Sequence, residues 1–122
     1  MTKELIEILD IQTAFAPGGP YYNHRRLQCF AQRGCVCVKC GLVGTELRKE
    51  LWPDDHRPPS AERSGQIHVD LYAYNARGDR VLMTVDHIMP KSKGGKNELS
   101  NYQPMCAPCN HKKGNKLPHE NH

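Results

Sequence analysis

No stretch of this sequence approaches 18 consecutive apolar residues, so it contains no hydrophobic run of the length a bilayer span requires. Aromatic residues are scarce, with five Tyr, two Phe and one Trp, and hydrophobic residues of all kinds reach only 38%. That supply is thin for a self-sufficient core in 122 residues, a length typical of one domain. A strong excess of one charge is missing too: 17 Lys and Arg face 13 Asp and Glu, a formal net charge of +4. The N-terminal Met1-Thr2-Lys3-Glu4 has no signal-peptide pattern. These absences lead to the expectation of a cytoplasmic, intracellular protein with no membrane partner.

What the chain does have is punctuation and cysteine: nine Pro, ten Gly and six Cys. A chain with few aliphatic side chains gains from a metal staple, because metal binding contributes directly to folding free energy. Cys37-x-x-Cys40 and Cys106-x-x-Cys109 have the paired spacing of a four-cysteine tetrahedral zinc site. Six cysteines could instead form three disulfides in a secreted protein. The missing signal and the two-residue spacing favour a shared metal. Cys29, in a helix-like stretch, reads as a buried structural thiol, and Cys35, two residues before Cys37, could compete as a ligand, but Cys37-x-x-Cys40 is the normal knuckle step.

The positive charge travels with the cysteines. Residues 24–50 hold six Lys or Arg against two acids, and residues 86–116 hold six Lys against two acids. Every other segment is net negative. Such a footprint suits a phosphate backbone, although most basic runs are only solvated faces. Lys91, Lys93, Lys96, Lys112, Lys113 and Lys116 are the candidate phosphate contacts.

Leu5, Ile8 and Leu9 are spaced for a short amphipathic helix over residues 3–11, ended by the loop Ala16-Pro17-Gly18-Gly19-Pro20. Residues 22–33 read as a second helix with Leu27, Phe30 and Ala31 inward, stopped at Gly34. Residues 36–38 read as a short strand entering the first cysteine knuckle, and residues 52–65 as an irregular loop. Residues 67–74 alternate as a half-buried strand, 75–79 as a hairpin turn and 80–85 as the returning strand, which delivers Asp86 and His87 at its end. Residues 90–96 read as a flexible basic loop, residues 102–105 as extended, and about 107–116 as a closing helix. The expected units are 1–21, an N-terminal helix and loop; 22–116, the functional domain; and 117–122, a polar tail.

An acid–histidine pair beside a zinc knuckle, with Asn110 at its edge, has the parts of a second, catalytic metal site. The run Val85-Asp86-His87-Ile88-Met89-Pro90 through Lys93-Gly94-Gly95, then Asn101-Tyr102-Gln103-Pro104-Met105-Cys106-Ala107-Pro108-Cys109-Asn110 to Lys113-Gly114-Asn115-Lys116, resembles the HNH endonucleases of the ββα-metal (His-Me) finger type. Cys37-x-x-Cys40-Gly41 matches their upstream zinc half. The resemblance covers residues 22–116. It implies an α+β fold: a small ββα-metal core with a four-cysteine zinc site and N-terminal helices. It also implies a divalent-metal-dependent endonuclease that hydrolyses DNA phosphodiester bonds by nicking or double-strand cleavage. Asn110 stands where many members have a final histidine, a familiar active variant.

Each role has a physical reason. Asp86 offers a hard oxygen and Asn110 a neutral amide oxygen for catalytic Mg²⁺ or Mn²⁺, leaving coordination positions open to water and phosphate. His87 can take a proton from water, since a histidine ring is largely neutral at pH 7. By resemblance, Asn101 braces the loop and the orientation of His87. His111 is a second-choice metal ligand; His119 and His122 belong to the polar tail, and His24, His56 and His68 have no partner pattern. DNA is the expected partner, with RNA left open, the protein acting as monomer or homodimer and specificity supplied by a partner protein if at all. The competing readings are a catalytically weak, zinc-stabilised nucleic-acid-binding module of HNH ancestry and a zinc-ribbon protein-interaction module. The second gives no reason for Asp86-His87 or for the charge distribution.

Overall fold

The structure, a computed structural model, describes residues 3–51 and 67–117. Among them, five strands form one antiparallel sheet in sequence order: β1 (Glu4–Leu9), β2 (Gly44–Leu51), β3 (Ile67–Tyr74), β4 (Arg80–His87) and β5 (Tyr102–Cys106). Three short helices complete the α+β fold: α1 (Ile11–Ala14), α2 (Gln28–Arg33) and α3 (Ala107–Lys113). The expected irregular loop over 52–65 and the histidines at 56, 119 and 122 lie outside the described residues.

The β3–β4 hairpin forms where the alternation predicts it. Its turn is closed by Asn75, whose side-chain oxygen accepts from the backbone N–H groups of Arg77 (3.0 Å) and Asp79 (2.9 Å), a short polar side chain replacing a backbone turn bond. The two strands pair only from Tyr72↔Leu82 to Tyr74↔Arg80. Beyond that point β4 changes neighbours and pairs with β5 from Met83↔Cys106 to His87↔Tyr102. Its last residues thereby come against α3, and β4, β5 and α3 make a ββα unit.

The N-terminal half departs from expectation. Residues 4–9 are an edge strand rather than a helix, paired with β2 from Glu4↔Leu51 to Leu9↔Leu47. Six residues are too few for a stable helix of their own, and Ile6 and Ile8 are β-branched, which suits a strand beside an available edge. The helix expected over 22–33 contracts to α2, and the strand expected over 36–38 to one bridge, Val36↔Val43. Helix α3 stops at Lys113, three residues short of expectation, with Gly114 as its C-cap.

Strand β2 has no counterpart in the sequence reading because its apolar face is short and its other face is charged. Arg48 lies between Glu46 (2.9 Å) and the buried Glu50 (3.3 Å). Tyr72 Oη donates to Glu50 at 3.1 Å, and Lys3 approaches the same carboxylate at 3.6 Å. Pairing of this kind is what lets a carboxylate stay buried. The opposite face supplies the core: Leu47, Leu71, Met83 and Met105 pack with Leu27 and Phe30 of the α2 region and with the knuckle residues Cys37 and Cys106. Gly44 is required there, since a Cβ would come within 2.5 Å of the Leu71 side chain.

Candidate metal centre and catalytic site

Four sulfurs join the two halves of the chain. The Sγ atoms of Cys37, Cys40, Cys106 and Cys109 all lie within 4.8 Å of one another, a group that can hold a metal ion. A tetrahedral zinc with Zn–S bonds of about 2.3 Å needs sulfurs about 3.8 Å apart; Cys40 and Cys106 are separated by 3.7 Å. The first pair sits in a tight turn, Gly41 N–H donating to the Cys37 carbonyl at 2.9 Å, and Val38 N–H ties that turn to β5 through the Pro104 carbonyl at 3.0 Å. The second pair spans the junction of β5 and α3.

The electrostatics also suit a metal. Burial opposes ionisation of Cys37, but backbone N–H groups of Cys106, Cys40 and Lys39 point at its sulfur and bring the thiol down to about 6. Burial, then contact with the neighbouring Cys106 and Cys40 sulfurs, pushes Cys109 up to about 12. Sulfurs packed this closely resist sharing negative charge, and a bound cation removes that conflict. The remaining cysteines stay outside the group. Burial raises Cys29 to about 11 and raises Cys35 as well, and the Cys35 thiol faces the Phe30 carbonyl at 3.8 Å.

Beside this cluster, the end of β4 delivers Asp86 and His87. Asp86 is buried, 5% exposed, and each of its carboxylate oxygens has a partner. Gln103 Nε2 donates to Oδ2 at 2.9 Å, and Lys113 Nζ stands 3.3 Å from Oδ1 and 3.1 Å from Oδ2. The same ammonium donates to the His87 backbone carbonyl at 3.0 Å. On α3, Asn110 Nδ2 donates to Thr84 Oγ1 at 2.9 Å, and the Thr84 hydroxyl donates in turn to the Met105 carbonyl at 2.7 Å. These bonds commit the Asn110 nitrogen and leave its amide oxygen able to hold a cation. An open cavity of about 300 Å³ is lined by Asp86, His87, Asn110, Lys91, Ser92 and Lys113, among others. One carboxylate oxygen pair and one amide oxygen at a polar opening fit a hard divalent cation that keeps several waters.

His87, next along the strand, lines the same cavity. Its Nε2 lies 2.7 Å from Asn97 Oδ1, and its ring meets Tyr102 edge-on at 5.2 Å between centroids. Asn97 is absent from the sequence reading, and only its place in the loop facing the strand end signals it. Asn101 braces the loop: its oxygen accepts from Met89 N–H at 2.8 Å, and its nitrogen donates to the carbonyls of Met89 and Lys96, both at 3.0 Å. None of these bonds reaches the His87 side chain. The basic loop expected to be flexible is a closed turn, with Gly95 N–H donating to Pro90 O at 2.9 Å. Gly95 lies so close to the Met89 carbonyl that a Cβ would overlap it.

Lys113 is the clearest correction. Expected as a phosphate contact, it is 2% exposed and held by Asp86 and the His87 carbonyl, so its charge does not face solvent. Lys91, Lys93, Lys96, Lys112 and Lys116 are exposed, and so is His111, which does not line the cavity. A larger, more apolar groove, lined by residues of the α2 region and of β3 and β4, also takes in His87, Asn97 and Tyr102.

Residues 76–121 match the family model of HNH endonucleases. This stretch is similar to the HNH endonucleases. It contains Asp86, His87, Asn101, Asn110 and the second cysteine pair, and the ββα unit is its fold. The first cysteine pair lies outside the HNH match and reaches it through the sulfur cluster. No curated protein and no solved structure matches the chain. No helix among the described residues is long and apolar enough to cross a membrane.

Proposed function

We propose that the protein is a divalent-metal-dependent endonuclease that hydrolyses phosphodiester bonds in DNA, with a structural zinc on Cys37, Cys40, Cys106 and Cys109. The observation that carries this reading is the convergence of Asp86, His87 and Asn110 on one polar cavity within the HNH segment. Asp86 and Asn110 would hold the catalytic cation. Bound there, Mg²⁺ or Mn²⁺ supplies charge neutralisation at the phosphate and eases departure of the 3′ oxygen.

The chain's own residues account for the rest. With Asn97 Oδ1 accepting from Nε2–H, the His87 lone pair is on Nδ1, where it can take a proton from the attacking water. Asn101 acts at one remove, by holding the turn that shapes the cavity wall. Exposed lysines of the 91–96 turn and of the α3 end meet the flanking phosphates. Cleavage should leave 5′-phosphate and 3′-hydroxyl ends.

Two outcomes test the assignment of roles. Asn110→Ala should need a higher Mg²⁺ or Mn²⁺ concentration for half-maximal cleavage and recover part of its rate when metal is raised. A rate that stays flat across a metal titration would remove Asn110 from the cation site. Replacing Lys112 and Lys116 together should lower the slope of log affinity against log salt by about two, since each phosphate contact contributes about 0.9. An unchanged slope would return both to the role of solvated surface charges.

A further inference from the structure

The sequence offers Lys113 as one more basic residue for phosphate, but its ammonium is buried inside the cavity that would take the catalytic cation. We propose that Lys113 keeps this site closed to a free divalent cation, so that the cation binds together with the nucleic acid and not before it. The inference rests on the nuclease reading and extends it to the order of binding.

Three observations support it. Asp86 is the one carboxylate among the residues lining the cavity, whereas Lys91 and Lys113 both line it. Lys113 Nζ contacts both oxygens of that carboxylate, at 3.3 and 3.1 Å, and the residues are 2% and 5% exposed. The other oxygen donor, Asn110, is neutral. A cation entering the cavity without substrate therefore meets a carboxylate already paired with an ammonium, a buried pair that water screens poorly, and Lys91 adds further positive charge to the lining. A phosphodiester reverses that balance, bringing negative charge and an oxygen ligand. Mg²⁺ suits such an arrangement, since it is commonly held by one or two carboxylates plus substrate phosphates.

A merely structural lysine would make a different prediction. Its loss would weaken the fold or leave it unchanged, but it would not raise affinity for a metal. The test is Mn²⁺ binding by the full-length, zinc-loaded protein, read from the electron paramagnetic resonance signal of free Mn²⁺. It is done in the His87→Ala background, which keeps the DNA intact, with and without a short duplex. The duplex with Asp86→Ala protein supplies the background of Mn²⁺ held by DNA alone. Affinity should rise at least about tenfold when the duplex is present. Lys113→Met should bind Mn²⁺ at least about tenfold more tightly than Lys113 in the absence of DNA, and Lys113→Arg, which keeps the charge, should not.

Equal Mn²⁺ affinity with and without duplex would overturn the proposal. So would a folded Lys113→Met protein whose DNA-free affinity is unchanged or weaker. If Lys113→Met fails to fold, Lys113→Gln, which removes the charge but keeps a donor for Asp86 and the His87 carbonyl, takes its place with the same expected gain. Failure of the nuclease reading shows separately, as absence of cleavage by the protein carrying His87.

Discussion

Replacing His87 with alanine is expected to lower the cleavage rate by ~10²–10⁴-fold, the usual cost of losing a positioned general base, while the protein stays folded, zinc-loaded and able to bind DNA. The structure gives a reason for that selectivity. Lys113 grips the backbone carbonyl of residue 87, not its ring, so the Asp86–Lys113 network survives the substitution. The ring itself touches only Asn97 and the edge of Tyr102 among the described polar and aromatic partners. Raising Mg²⁺ or Mn²⁺ should not rescue this variant, in contrast to Asn110→Ala, because the missing element is a proton acceptor. Single-turnover cleavage with protein in excess over plasmid measures the effect free of product release. A wild-type rate in His87→Ala would remove His87 from the mechanism.

Replacing Cys106 with serine is expected to unfold the domain. Cys106 is 3% exposed, ends β5 and precedes the first residue of α3, so its sulfur lies where the ββα unit and the N-terminal knuckle meet. Structural zinc sites bind with apparent free energies of about 10–16 kcal/mol, as large as the roughly 5–15 kcal/mol that separates a whole domain from its unfolded chain. The scarcity of apolar residues leaves little core to compensate. Zinc content, far-ultraviolet circular dichroism and thermal melting of Cys106→Ser, and of the parent protein treated with a strong chelator, should all show loss of the cooperative fold. A fully folded Cys106→Ser protein, or parent protein purified without chelator and free of zinc, would show that the cluster is not the staple.

The chemistry-bearing part of the fold was legible because its residues are chosen for what their atoms do. Thiols at two-residue spacing, an acid next to a histidine, and an amide after the second knuckle narrow the options sharply, and the structure brings the four sulfurs together and brings Asp86 and Asn110 to one cavity. The N-terminal half was less legible because its signals are local and ambiguous. Leu5, Ile8 and Leu9 fit a helical spacing as well as a strand, and only the presence of the β2 edge decides between them. Strand β2 itself hides behind Glu46, Arg48 and Glu50, which read as solvated charges until they are seen to neutralise one another on one face.

Lys113 illustrates the same limit within the site. In sequence it is one of six lysines over 86–116, and nothing in its own chemistry separates it from Lys112. Its position does: three residues after Asn110 on a helix, it shares the face that carries the Asn110 amide, and that face is turned to Asp86. Asn97 escapes for a related reason, since its contact with His87 depends on a loop closed by Asn101 rather than on any local pattern.

The most direct test is incubation of the zinc-loaded protein with supercoiled plasmid in the presence of Mg²⁺, Mn²⁺ or EDTA. Conversion to nicked or linear DNA with either cation, abolished by EDTA and absent in His87→Ala, is the predicted result. No metal-dependent cleavage of this plasmid, or of other DNA and RNA substrates, by protein that binds them would contradict it and identify the chain as a zinc-stabilised nucleic-acid-binding module.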